Sequence, residues 1–185
     1  MIGDPLLWDA TLPWDDLATA TGNARDVPAA IRDLWQATSD EEAQAAYWRL
    51  DNVVVVQGSV FHVAPHLVEV LVRIAIAGGF LQRRWSLELL LQLAGGWTDP
   101  SEQARLGRDL AAECRLGLRR SVEALYLLAT DEDHDVRELA VEIIANVEDL
   151  EDVFERRVSW IVSQTADADH RSFVEGILSK GLREH

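Results

Sequence analysis

The chain is 185 residues long and carries 32 acidic against 17 basic side chains, a formal charge of −15 at pH 7. Such a surface repels phosphate backbones, so nucleic acid is not an expected partner and basic protein faces are. With 48% hydrophobic and 26% charged residues the chain is too apolar for disorder, and its length suits a single structural unit spanning 1–185.

Residues 1–25 have aromatic weight in Trp8 and Trp14 but little periodicity, and are expected to cap the open apolar face of the first helical pair. They contain acidic residues at Asp4, Asp9 and Asp15 and lack the basic start and apolar run of a signal peptide. Asp26 then opens a first helix whose Val27, Ala30, Ile31, Leu34 and Trp35 fall on one face, with Pro28 in its first turn. Ser39 and Glu42 form a capping box for a second helix carrying Ala43, Tyr47, Leu50 and Val54. The β-branched run Val53 to Val56 has no evident partner strand and is read as the end of that helix. Gly58 would terminate it in the left-handed conformation, and Ser59 would cap a third helix reaching Ala77.

The third helix is apolar nearly all round, its polar positions His62, His66, Glu69 and Arg73 forming one narrow stripe. These interruptions, with Pro65, argue against a membrane span in the apolar stretch from Asn52 to Phe80. A fourth helix runs from Leu81 to Leu93, between the terminators Gly78-Gly79 and Gly95-Gly96. Asp99 and Pro100 open a long fifth segment to Ala129 that Gly107 or Gly117 can bend. Val136, Leu139, Ala140, Ile143, Ile144 and Val147 define the sixth helix, the clearest amphipathic pattern in the chain. A seventh carries Leu150, Val153, Phe154, Val158, Ile161 and Val162, and an eighth Phe173, Val174, Ile177, Leu178 and Leu182. With no strand expected, the fold class is all-α, a short α-solenoid of about four helical pairs.

The run Asp131-Glu132-Asp133-His134-Asp135-Val136-Arg137-Glu138-Leu139-Ala140 resembles the turn and second helix of a HEAT repeat. There the acid can cap the helix and the Arg can bond back to the turn. The earlier half is similar to small bacterial, largely actinobacterial, HEAT-like proteins. The similarity lies in Trp14-Asp15 with Leu17, in Asp26-Val27-Pro28, and in Val56-Gln57-Gly58-Ser59-Val60 leading to Ala64-Pro65 and Leu67. Some members of that group resemble toxin-immunity proteins. The resemblance implies a HEAT architecture and a protein partner.

Three constellations bear on chemistry. His62, His66 and Glu69 are potential metal ligands on one stripe, although Arg73 at helical spacing competes for Glu69 and the zincin Glu is absent. A polar helix face with no bound metal or cofactor is the simpler reading. The acidic turns place more carboxylates before helices than capping needs, and Asp131, Glu132, Asp133, Asp135, Glu148, Asp149, Glu151 and Asp152 are the expected partner-binding acids. Among seven Trp, Trp35, Trp48 and Trp85 lie in or beside apolar stripes, whereas Trp97 and Trp160 are the expected aromatic anchors. Gly-x-Ser-x-Gly and phosphate-loop patterns are missing, and the lone Cys114 lies among Ala, Glu and Arg and cannot close an internal disulfide. The expectation is a non-catalytic, cytoplasmic binding module, in its most concrete form an immunity protein against a basic toxin. A metal-dependent enzyme centred on His62, His66 and Glu69 is the alternative, and a HEAT-type base-excision glycosylase ranks last because it needs a basic groove.

Overall fold

The computed structural model describes residues 12–164 and 167–179. Trp8, Leu182 and the first part of the expected cap lie outside them. Trp14–Asp16 forms a 3-10 turn, after which Ala18–Thr19 (β1) and Gly22–Asn23 (β2) pair as a small hairpin. Ala20 N–H donates to the Val53 carbonyl and Val63 N–H to the Ala18 carbonyl, at 3.0 and 3.1 Å. The segment is thus sewn to the chain reversal after the second helix, and Leu17 is buried beneath it.

Helices Val27–Gln36 (α1) and Asp40–Val54 (α2) pack as a hairpin. Ser39 caps α2 by accepting from Glu42 N–H at 3.2 Å, while the Glu42 carboxylate turns back to Thr38 N–H at 2.8 Å. The first bond satisfies an amide that the first helical turn would otherwise leave unpaired, and the second ties the chain just before the cap to the helix.

The next stretch departs from the expected all-helical course. Val55–Val56 (β3) and Ser59–Val60 (β4) form an antiparallel hairpin, and Trp97–Thr98 (β5) adds to it in parallel. Gln57 and Gly58 both have positive φ, 51° and 85°, the combination a two-residue type I′ turn demands. Gly58 is left-handed as expected, but in a hairpin turn instead of at a helix end, and Ser59 caps no helix. The missing partner for the end of the valine run is Ser59–Val60, folded back on it by that turn, and Trp97–Thr98, lodged between Gly96 and the Asp99 cap, pairs with the other edge of Ser59–Val60; each segment is too short to register as a strand in sequence.

Helix α3 is Ala64–Ala77 and α4 is Phe80–Gly95. The expected fifth helix is three, Pro100–Leu106 (α5), Leu110–Arg120 (α6) and Val122–Leu128 (α7). Gly107 breaks it at φ 64°, donating its N–H back to the Gln103 carbonyl at 2.9 Å, and the second break falls at Ser121, not at Gly117. Gly117 has another use. A Cβ there would lie 3.1 Å from a Val68 methyl, so its bare backbone lets α6 approach α3 closely. Asp109 caps α6 through Ala112 N–H and accepts from the Thr98 hydroxyl at 2.7 Å, tying β5 to the helix.

His134–Val147 (α8), Glu151–Gln164 (α9) and Ala168–Leu178 (α10) complete the described chain. Asp133 caps α8 through Val136 N–H at 3.2 Å, and Arg137 donates back to the carbonyls of Asp131 and Glu132 at 3.1 and 2.9 Å. Besides the hairpin pairs α1 with α2 and α3 with α4, helices α2, α4, α8 and α10 touch in succession. The molecule is predominantly helical. Its core centres on α4, which packs on α1, α2, α3, α6 and α8 and buries Leu87, Leu89, Leu90 and Leu93 completely. Among the described residues no helix is long and apolar enough to cross a membrane.

Candidate functional site

The expected binding acids divide into two groups at opposite ends of α8, whose fourteen residues span about 21 Å at 1.5 Å per residue. That distance exceeds the screening length of about 8–10 Å near physiological salt, so each group acts through its own local field. The group before α8 is largely engaged in holding the fold. Asp131 accepts from Arg83 of α4 at 2.6 Å, Asp133 is the cap, and Asp135 lies 3.4 Å from Arg84, leaving Glu132 exposed.

The group after α8 keeps more of its charge outward. Asp149 pairs with Arg119 at 2.7 Å, and Glu148 accepts from Asp149 N–H at 3.1 Å, but Glu151 and Asp152 are exposed in the first turn of α9. Phe154, Val158 and Ile161 turn inward on α9. The opposite face therefore carries Asp152, Glu155, Arg156 and Trp160 at three- and four-residue steps. Trp160 is 58% exposed, and Leu150 at the head of the helix is 57% exposed. The fold thus presents Glu151, Asp152 and Trp160 on one outer helix, and Leu150, expected in the apolar stripe of that helix, is exposed at its head because it precedes the first turn.

Trp97 stands elsewhere, in β5. It is 55% exposed, but its ring covers Gly58, where an added Cβ would come within 2.3 Å of a ring carbon. Packing on the hairpin turn accounts for the buried half. Trp85 is buried, its indole N–H donating to Asp40 at 2.9 Å, whereas Trp48, placed beside an apolar stripe by sequence, is exposed and edge-on to Tyr47 with ring centroids 5.1 Å apart. Cys114 is fully buried and burial pushes its thiol up, which keeps it protonated and unreactive.

The stripe His62, His66, Glu69 is not assembled as three ligands. His62 precedes α3 in a turn, because the β3–β4 hairpin occupies the residues expected to begin the helix, and its ring centroid lies 6.0 Å from that of His66. Arg73 takes Glu69 in an i,i+4 ion pair. Burial holds both imidazoles below the usual histidine range. His62 faces Arg105, Arg108, Glu102 and Glu113, and His66 faces His62, Arg108 and Glu113.

These depressed values make stability depend on pH. The unfolded chain binds more protons in the window just below about 6.5, so stability is complete above it and falls as pH drops through it. The melting temperature should decline between about pH 7.5 and 5.5. The double variant His62→Asn, His66→Gln should decline less steeply, with His170, shifted in the same direction by its burial, accounting for part of the remaining slope. Equal slopes in the two proteins would refute the assignment.

One cluster is not legible in sequence. Ligand atoms of His134 and Glu138 on α8 and of His170 on α10 all lie within 4.8 Å of one another, the one such three-residue group among the described residues. His134 Nε2 is 3.2 Å from Glu138 Oε1, and its Nδ1 is 3.6 Å from Asp167 Oδ2. Asp167 caps α10, accepting from Asp169 N–H and His170 N–H at 3.0 and 3.1 Å, and also accepts from Arg137 at 2.6 Å. Burial raises Glu138 and lowers His170, while the His170 amide bond lowers Asp167. The i,i+4 spacing of His134 and Glu138 is a signal present in the sequence, but nothing in it points to a residue 32 positions beyond Glu138.

Compared with known proteins, the chain matches no family model and no curated protein.

Proposed function

We propose that this chain is a non-catalytic protein-binding module, a short HEAT-like α-solenoid that docks a basic protein through the outer edge of α9. The observation that carries this reading is the exposed set Leu150, Glu151, Asp152 and Trp160 on one peripheral helix of a chain with charge −15. Acids attract and orient a cationic partner at long range, and a half-exposed Trp, with an exposed Leu at the head of the same helix, supplies the apolar contact on which affinity depends. Glu148 and Asp149 extend the field at its base, whereas Asp131, Asp133 and Asp135 act mainly on the fold. The succession α2, α4, α8, α10, flanked by α1, α3 and the α6–α7 pair, supports stacked helical hairpins, and the bonds from Arg137 to its turn support HEAT-like chemistry there. In its most concrete form the module is a cytoplasmic immunity protein masking the cationic surface of a toxin, with phosphate backbones repelled by the same charge. A metal-dependent enzyme at His62, His66 and Glu69 is the weaker reading, since Arg73 occupies Glu69.

The test is capture of partners from the source cell by immobilised chain at low and high salt. The captured protein should be basic, should elute as salt rises, and should be lost from Glu151→Arg, Asp152→Arg, Trp160→Ala while being retained by the remote reversal Glu41→Arg. Binding indifferent to salt and to the α9 triple variant would sink the reading.

A further inference from the structure

We infer that His134, Glu138 and His170 form a binding site for a single divalent transition metal of the zinc class, clamping α10 onto α8. The inference is independent of the docking reading, since it uses neither α9 nor its acids. Two observations carry it. The donor set is two imidazoles and a carboxylate, a combination used for zinc with one coordination position left open. His170 is fully buried, yet among the described residues neither of its ring nitrogens has a hydrogen-bond partner. A buried imidazole without a partner costs folding energy, and a metal ion at one nitrogen would remove part of that cost.

The geometry needs little adjustment. Zinc with ligand bonds of about 2.0–2.1 Å in a tetrahedral arrangement sets its donors roughly 3.3–3.4 Å apart. His134 Nε2 and Glu138 Oε1 are already 3.2 Å apart, so their present contact is close to one edge of that tetrahedron. The remaining donors, within 4.8 Å, close by side-chain rotation of about 1 Å at each end. With Nε2 on the metal, His134 Nδ1–H faces Asp167 at 3.6 Å, the carboxylate–histidine arrangement that orients a metal-bound imidazole. The positive charge of Arg137, which would oppose a cation, is held by the same Asp167 at 2.6 Å. His170 forms the closed floor of the site, and the His134 side chain, 44% exposed, leaves a path for the ion and an open position for water or a partner's donor atom.

The experiment uses the full chain without an affinity tag, stripped with chelator and titrated with zinc sulfate alone, and with cobalt(II) for its ligand-field absorption. One equivalent should bind, cobalt should give the intense visible bands of a four-coordinate site, and at a hundredfold excess over Kd zinc should raise the melting temperature by about 5–10 °C. His170→Ala hollows a buried position and risks unfolding the chain, so the decisive variants are His134→Ala and Glu138→Gln, both nearer the surface. Each should keep its metal-free circular dichroism and lose more than about 100-fold in zinc affinity, beyond the roughly 10–100-fold that a supporting residue would cost. His62→Ala, His66→Ala should bind as the unmodified chain does. No stoichiometric binding, undiminished binding by His134→Ala and Glu138→Gln, or loss confined to the His62, His66 variant would overturn the assignment.

Discussion

Phe154→Ala is expected to release α9 while the rest of the molecule stays folded. Phe154 is fully buried and is among the largest such side chains in the chain. Truncating a buried Phe costs about 3–5 kcal/mol through lost transfer energy and the cavity left behind. What makes this large locally is the position of α9, which packs on α8 and α10 and buries only Val158 and Ile161 besides Phe154. A loss of that size is comparable to all that the two remaining aliphatic anchors contribute, about 1.5–3 kcal/mol each, so α9 should open separately. Hydrogen exchange should accelerate across 151–164 under conditions in which α4 amides stay protected. Partner capture should fall as well, although none of the docking side chains has been altered. Uniform acceleration through both helices would show instead that α9 belongs to one cooperative unit with the core.

Leu90→Ala is expected to lower the free energy of global unfolding by about 2–5 kcal/mol, a large share of the roughly 5–15 kcal/mol typical of a domain. Leu90 is fully buried in α4, the helix that touches α1, α2, α3, α6 and α8. Neighbours on so many sides cannot all collapse into a vacated volume, which places this site toward the costly end of the range. Urea denaturation should show a lower midpoint with an unchanged slope, and exchange should accelerate throughout the molecule. A fall of under about 0.5 kcal/mol, the size of an ordinary surface substitution, would mean that α4 is not the centre of the core. Taken together the two variants separate a central helix from a peripheral one, a distinction that burial of the single residues, identical in both, does not make.

The helices with strong periodicity are readable because each depends on contacts three and four residues apart. The stripe from Val136 to Val147 becomes α8, and Ser39 with Glu42 marks the start of α2 through bonds confined to one turn. Only the first half of the valine run ends the helix as expected, Val53 and Val54 closing α2, because the Gln57-Gly58 turn pairs the second half with a segment too short to read as a strand. Val55–Val56 pairs with Ser59–Val60, whose other edge is held by Trp97–Thr98 about forty positions away. Ser121 ends α6 with no Gly or Pro to announce it. The same limit applies to the sites. The acids before α8 look like a free field until α4 supplies Arg83 and Arg84. His62 and His66 stand out by adjacency in sequence, whereas His170 is brought to His134 and Glu138 by the docking of α10.

By itself the sequence determined the helical character of the chain, the stripes its helices bury, several of its caps and its negative charge, because these depend on composition and on interactions within one or two turns. Only the tertiary structure decided which carboxylates meet arginines, which tryptophans reach solvent, and which histidines share a site. Those outcomes depend on contacts between elements distant in sequence, whose geometry no local pattern encodes.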